Sequence, residues 1–472
     1  MPPRPRAYEP LETPFRFVDL PTDVERHGGR IPNPVRHTAI FVVHGIGLQQ
    51  YPDTAVTMRS GFEDAIGEIS HERPGVAVPP PFIYEGYWAD YAAFKNTFPR
   101  EWEQCSGRER LFFDHLWQRR SMSAFRTALW FVRENLRLFR WQTLRGAGRL
   151  RGITLMAAAP LTIFVTAAMV LRHPKVLAEV LGDVRIYCDP RGDVEMAIVQ
   201  RVDHRVGDAF LRLLGLDWHF QDLPTNQQLE ISGTHHTFRY VTWIAHSLGT
   251  VISYNVIGDI LHRAESLRRE LDESARARGS QVAEPEEDRR TRTNIERVEQ
   301  GLHRFVTFGS PLEQINILFP GVLRDWPAGA RTRYRMNAAQ RDWWVNFYHV
   351  WDPISSRLLA RRFSDFVSNR HGKLLRVPGV AHTSYWYDTS ILKYLVSRAY
   401  GRELCPWPDP KFLNEKLCSI LRHVTGWITL TAVLSVVMLV LRWIYAGGVP
   451  SALWILMKSW LGDLPGSSIK SP

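Results

Sequence analysis

Within one short stretch the sequence changes from a strand-like to a helical character. Phe238–Ala245 is rich in β-branched and aromatic residues, and Thr250-Val251-Ile252-Ser253-Tyr254 continues as a helix. The joint reads Ala245-His246-Ser247-Leu248-Gly249. So sharp a turn packs the helix tightly on the strand, which demands small residues on both sides of the serine. Other strand-like runs are Thr38–Val43, stopped at His44-Gly45, then Phe82-Ile83-Tyr84 behind Pro79–Pro81, Arg304–Phe308, Trp344–Trp351 and Lys373–Val377. Helical spacing lies between them at 53–70, with Val56, Phe62, Ile66 and Ile69 as its apolar set, and at 248–270 and 390–400. Strands alternating with helices predict an α/β fold with a mostly parallel, doubly wound sheet.

Three regions break the alternation. Residues 118–151 hold nine arginines (Arg119, Arg120, Arg126, Arg133, Arg137, Arg140, Arg145, Arg149, Arg151) against one acid, Glu134, interleaved with Phe125, Trp130, Phe131, Phe139 and Trp141. A basic helix threaded with aromatics suits a lipid interface. Ile153–Leu171 follows as 19 uncharged residues, roughly 28 Å as a helix and close to the hydrocarbon thickness. Val424–Leu441 is similarly apolar, and Ser451–Leu461 carries Trp454 and Trp460. The third break, 262–300, is crowded with Arg and Glu and reads as a helix extension plus a flexible surface loop. The expected organisation is an N-terminal extension (1–35), an α/β core (36–117 and 185–400) carrying the charged 262–300 insertion, a membrane-associated helical insertion (118–184) and a membrane-associated tail of apolar helices (401–472).

The net charge of +11 calls for an anionic partner. The arginines sit beside apolar segments and no nucleic-acid motif is present, so the expected partner is a lipid membrane. The first residues, MPPRPRAYEPLETPF, lack a signal peptide's apolar run, which places the core in the cytoplasm as an expectation. Cys105, Cys188, Cys405 and Cys418 are scattered without metal-ligand spacing, so no disulfide framework or zinc site is expected.

The candidate chemistry centres on Ser247. An acyl-transfer site needs a nucleophile, two backbone N–H donors for the oxyanion, a base and an orienting acid. Leu248 supplies one N–H, and the loop after the first strand, at Ile46 with Gly47 close behind, supplies the other. His44, Gly45, Ala245, His246 and Gly249 support these turns. The order Ser, Asp, His selects Asp352, at the tip of a strand, and His382, in the loop after the last strand. Asp388, Asp365 and His371 are the fallbacks. No metal or organic cofactor is required.

Taken together, His44-Gly45-Ile46-Gly47, Ala245-His246-Ser247-Leu248-Gly249, Phe308-Gly309-Ser310-Pro311-Leu312, Asp352-Pro353 and His382-Thr383-Ser384-Tyr385-Trp386 resemble the lipase/serine-esterase branch of the α/β-hydrolase superfamily. The likeness covers roughly residues 36–90 and 185–400, and Ala245 departs from the usual first glycine. It implies a Ser-His-Asp triad and ester hydrolysis, with Ser310 structural; a hydrolase seated on lipid is expected to draw an apolar acyl substrate from the bilayer. Two other readings stay open: the same triad acting on a thioester or amide, and an inactive scaffold kept for partner binding.

The apolar stretch 153–171 adds a constraint. The proposed oxyanion loop precedes it and Ser247, Asp352 and His382 follow it, so a single crossing would split one site across the bilayer. A monotopic or re-entrant insertion is expected, with a buried core helix as the other solution. The tail after 423 can span or dip.

Overall fold

The computed structural model describes residues 38–45, 53–72, 74, 81–88, 184, 186–190, 193–231, 234–278, 283–319, 321–334, 343–349, 352, 354–355, 357–372 and 380–399. The arginine-rich stretch 118–151, both apolar runs and the oxyanion-loop residues Ile46 and Gly47 lie outside them, as does the predicted strand Lys373–Val377. Among the described residues no helix is long and apolar enough to cross a membrane.

Six strands form one wholly parallel sheet in the order β2-β1-β5-β6-β7-β8. They are β1 (Thr38–Val43), β2 (Phe82–Glu85), β5 (Tyr240–His246), β6 (Leu302–Phe308), β7 (Trp344–Tyr348) and β8 (Val367–His371); β3 (Leu229–Ile231) and β4 (Thr234–His236) make a separate antiparallel pair. The fold class is therefore α/β, as the alternation predicts.

Each strand's period of two sorts its side chains between two cores. In β1, Ile40 and Val42 face a cluster with Met58, Phe62, Ile69, Ile391 and Leu395, from α1 (Asp53–Glu72) and a late helix, Thr389–Ala399. Ala39, Phe41 and Val43 face the opposite cluster, built on α2 (Asp193–Leu213), α3 (Leu248–Arg278) and α4 (Glu286–Gly301). Right-handed crossovers explain the two sides: the chain steps from β1 outward to β2 through α1, and from β5 the other way to β6 through α3 and α4. The winding direction thus reverses between β1 and β5. In open α/β sheets, ligands bind outside the carboxyl ends of the strands at such a reversal.

One sequence expectation changes here, and one strand stands where none is expected. In the stretch 262–300 the expected helix extension is present, with α3 running on to Arg278, but residues expected as loop form α4, which returns antiparallel beside it. Thr291, Asn294, Ile295 and Val298 form the thin buried face of α4, and the ion pairs Arg268–Glu299 (2.8 Å) and Arg278–Asp288 (2.6 Å) bridge it to α3. The edge strand β8, Val-Ser-Asn-Arg-His, has no apolar run to betray it. It is held by a row of polar side chains across the sheet: Thr307 Oγ1 donates to Asn346 Oδ1, and Asn346 Nδ2 to Asn369 Oδ1, each at 2.9 Å. The buried sheet tolerates these groups because each finds a partner.

Candidate active site

Val43 and Ala245 are paired across β1 and β5, so both strands end side by side at the reversal. From that point β5 turns into α3 through Ser247, whose φ of 53° puts a non-glycine residue in the left-handed region. That conformation costs about 1–2 kcal/mol, and strain of this kind clusters at functional positions. The surroundings over-determine it. Ser247 N–H donates to Phe308 O on β6 (3.0 Å), and the Ser247 carbonyl accepts from Thr250 N (3.0 Å) and Thr250 Oγ1 (2.8 Å). A Cβ at Gly249 would lie 2.3 Å from the His44 carbonyl oxygen and 2.7 Å from that of Val43, so only glycine lets α3 start this close to β1. Ala245, in place of a first glycine, is fully buried and fits. Leu248 opens α3, and its N–H belongs to the first turn, where backbone donors have no intrahelical acceptor.

The β1 side of the joint is equally fixed. A Cβ at Gly45 would come within 2.6 Å of the Ser247 Cβ. The His44 ring stacks on Trp88 at 5.0 Å, donates from Nδ1 to Gly45 O (2.9 Å) and accepts the Trp88 N–H at Nε2 (3.3 Å). Burial pushes His44 down to about 4, so it stays neutral in that role. Beyond residues 46–52, Glu85 at the end of β2 accepts the Ala55 N–H at the start of α1 (3.1 Å). Burial lifts its carboxyl to about 7, against that hydrogen bond. Both ends of the segment that contains Ile46 and Gly47 are therefore anchored.

The acid and base come from the other half of the sheet. Asp352 follows β7 and His382 sits in a short helix, Val380–Thr383; the His382 Nδ1 lies 3.0 and 3.1 Å from the two Asp352 oxygens. Asp352 Oδ1 also accepts the N–H groups of Ile354 (2.9 Å) and Ser355 (3.2 Å), closing an Asx turn. Burial alone would raise the Asp352 carboxyl, but the His382 and Tyr385 hydrogen bonds and the Ile354 N–H bring it down to about 2. It is ionised at neutral pH and holds the imidazole through Nδ1, leaving Nε2 as the ring's other working atom.

Two contacts bring this pair to the Ser247 turn. Gly309, directly after β6, adopts φ of 57°, and a Cβ there would stand 3.0 Å from the His382 ring and 3.2 Å from Asp352 Oδ2. His246, the residue before Ser247, donates from Nε2 to the His382 carbonyl (2.7 Å), with the two rings 4.7 Å apart. The Asp352–His382 pair thus lies at the carboxyl ends of β6 and β7 and meets the Ser247 turn through His246 and Gly309, with no hydrogen bond between the Ser247 hydroxyl and the His382 ring. The fallbacks stand elsewhere: Asp388 accepts Ser390 N (3.1 Å) as the cap of the helix after it, Asp365 is exposed, and His371 packs edge-on against Tyr348 at the end of β8. Ser310 is fully buried, 3.0 Å from Thr250 Oγ1 and accepting Leu312 N (3.3 Å). Cys188 is a buried free thiol. Among the described residues no cluster of His, Cys, Asp or Glu could hold a metal ion.

Gly309 and Tyr385 stand within the sequence motifs quoted above but have no assigned role there, and His246 has only a supporting place in the turn. His382 is expected in a loop, whereas 380–387 is helical, and only that helical winding puts Tyr385, three residues on, on the same face as His382. His246 makes a testable contribution of its own. Burial, then the neighbouring His382 charge, lowers its ring to about 3, whereas the unfolded chain takes a proton near 6.5. Between those values unfolding binds a proton, so stability rises with pH, by up to about 1.4 kcal/mol per unit for this residue. Urea titrations from pH 5 to 6, where the unfolded ring is mostly protonated, should show that slope shallower by about this amount in His246→Gln. Equal slopes in the two proteins would mean that the ring is not kept neutral by burial.

No protein-family profile, no curated protein and no solved structure matches this chain. The functional reading therefore rests on the residues and their geometry.

Proposed function

We propose that the chain is a membrane-associated serine hydrolase of the α/β-hydrolase type that cleaves carboxylic esters of apolar acyl groups. The observation that carries the reading is the left-handed Ser247 at the joint of β5 and α3, beside an Asp352–His382 pair seated on the end of the adjacent strand. The parallel sheet with its winding reversal at this joint is compatible with that fold.

In the proposed mechanism His382 takes the Ser247 hydroxyl proton as the oxygen attacks the ester carbonyl. The oxyanion is held by the Leu248 N–H and by one from Ile46 or Gly47. Collapse expels the alcohol, which receives the proton back from His382, and leaves an acyl-Ser247. Water, deprotonated by His382, then attacks the acyl carbon; the carboxylic acid departs and Ser247 regains its proton. Asp352 fixes the imidazole tautomer and stabilises its charged form throughout.

The arginine-rich stretch 118–151 and the apolar runs at 153–171 and 424–441 support a lipid surface as partner, with the substrate drawn from it and the core on the cytoplasmic side. The test is turnover of p-nitrophenyl esters of graded acyl length by the full chain in lipid vesicles. Hydrolysis that favours longer chains is expected. A folded protein that turns over none of them would remove the esterase reading, and full recovery in the soluble fraction without detergent would remove the membrane.

A further inference from the structure

We infer that Tyr385 is a positioning residue of this site, fixing the second oxygen of the Asp352 carboxylate and tempering its basicity through a hydroxyl relay that begins at Ser355. The inference rests on the serine-hydrolase reading above and adds a fourth member to its polar chain.

The proton directions follow from counting donors. Asp352, ionised, can only accept, so the Tyr385 hydroxyl, 2.7 Å from Oδ2, gives its single proton there. Its two lone pairs then face the His349 N–H (3.0 Å) and the Ser355 Oγ (3.0 Å). Because the Tyr385 proton is already committed, Ser355 must be the donor in that last contact. Every valence of the phenol is thus used. Ser355 touches the carboxylate twice, by its N–H on Oδ1 and through Tyr385 on Oδ2.

The division of labour is uneven. Oδ1 is held by two backbone N–H groups of the Asx turn, which any residue at 354 and 355 except proline would supply. Oδ2, besides His382, is held by Tyr385. The phenol is fully buried and stacked on Phe308 (5.7 Å, 6° between planes), so it cannot swing away. Burial and the Asp352 charge raise it well above the ordinary tyrosine value, which keeps it a donor at every working pH. Its titratable neighbours are His349, 4.3 Å away ring to ring at the end of β7, and His246 at 6.0 Å at the end of β5. A donor on Oδ2 withdraws charge from the carboxylate, weakening its competition for the imidazole proton, and sets the plane in which Nδ1 must lie.

Tyr385→Phe keeps the ring and removes the relay. Measured per site titrated with a fluorophosphonate, kcat should fall on the order of tenfold with KM little changed, and the acid limb of kcat/KM should move to higher pH by about half a unit to one unit. Ser355→Ala, which leaves the Tyr385–Asp352 bond in place, should shift the limb in the same direction by less. The low-field proton resonance of the His382–Asp352 hydrogen bond should move further downfield in Tyr385→Phe. That signature needs no turnover. Variants that lose only folded fraction, with per-site kcat, acid limb and low-field resonance as in the wild type, would overturn the inference. A wild type that shows the resonance and its displacement by Tyr385→Phe, yet hydrolyses no ester, would uphold the Tyr385 hydrogen bond and count against the esterase reading instead.

Discussion

Ser247→Ala should lower ester hydrolysis by about 10⁴-fold or more, by comparison with the loss of the nucleophile in other triads. The same variant should fold almost as well as the wild type. Alanine and serine meet similar resistance at φ of 53°, and the backbone bonds to Phe308 and Thr250 that hold the turn use no Ser247 side-chain atom. The stability change is therefore expected to stay within about 1 kcal/mol. Kinetics and urea unfolding on one preparation separate the two effects. Activity retained in a folded variant would exclude Ser247 as nucleophile. Activity lost together with the fold would mean that the hydroxyl serves the turn rather than the chemistry.

Gly249→Ala should destabilise the protein by about 3 kcal/mol or more, at the upper end of what overpacking costs. The added methyl would meet two backbone carbonyl oxygens, of His44 and Val43, at 2.3 and 2.7 Å, and neither can rotate out of the way. Relief requires α3 to lift from β1, which opens the buried contact between the halves of the site. The sign is informative because glycine-to-alanine within a helix ordinarily stabilises by about 0.5–1 kcal/mol. Gly67, inside α1, is the matched control: a methyl added there would meet nothing within 4 Å and should stabilise by that amount. If both substitutions proved stabilising, the close packing of α3 on β1 would be wrong.

What the sequence made legible follows from how local each signal is. Ser247, Gly249 and Ala245 announce themselves because a strand, a sharp turn and a helix fall within a dozen consecutive residues, and the turn admits few residue types. Asp352 and His382 were accessible through chain order and their placement after strand-like runs. Elements without their own apolar pattern were not. The edge strand β8 pairs through Ser368, Asn369 and Arg370, and the suitability of Asn369 depends on Asn346 of β7 already being there. The helix α4 spends its few apolar residues on one narrow face and is otherwise ion-paired, to α3 and to Asp222, so composition alone reads it as loop. Gly309 carries no chemistry in itself. Its importance lies in a left-handed backbone and in two side chains, of Asp352 and His382, that approach from far along the chain.

Physically, the site arises by convergence. A doubly wound parallel sheet reverses direction between β1 and β5, and that reversal sets a strained serine beside the end of β6. The strand after β6 and the helical turn at 380–387 then deliver a buried carboxylate and its imidazole to the same end. None of this geometry needs a lipid surface, which belongs to the proposed function alone as the source of substrate.

The proposed chemistry turns on one oxygen atom, and the site of covalent capture tests it most directly. Wild-type protein in vesicles, treated with a fluorophosphonate and digested, should carry the phosphonyl group on the peptide containing Ser247, with labelling abolished in Ser247→Ala and strongly slowed in His382→Gln. An adduct on another residue, or none on a chain shown to be folded, would contradict it.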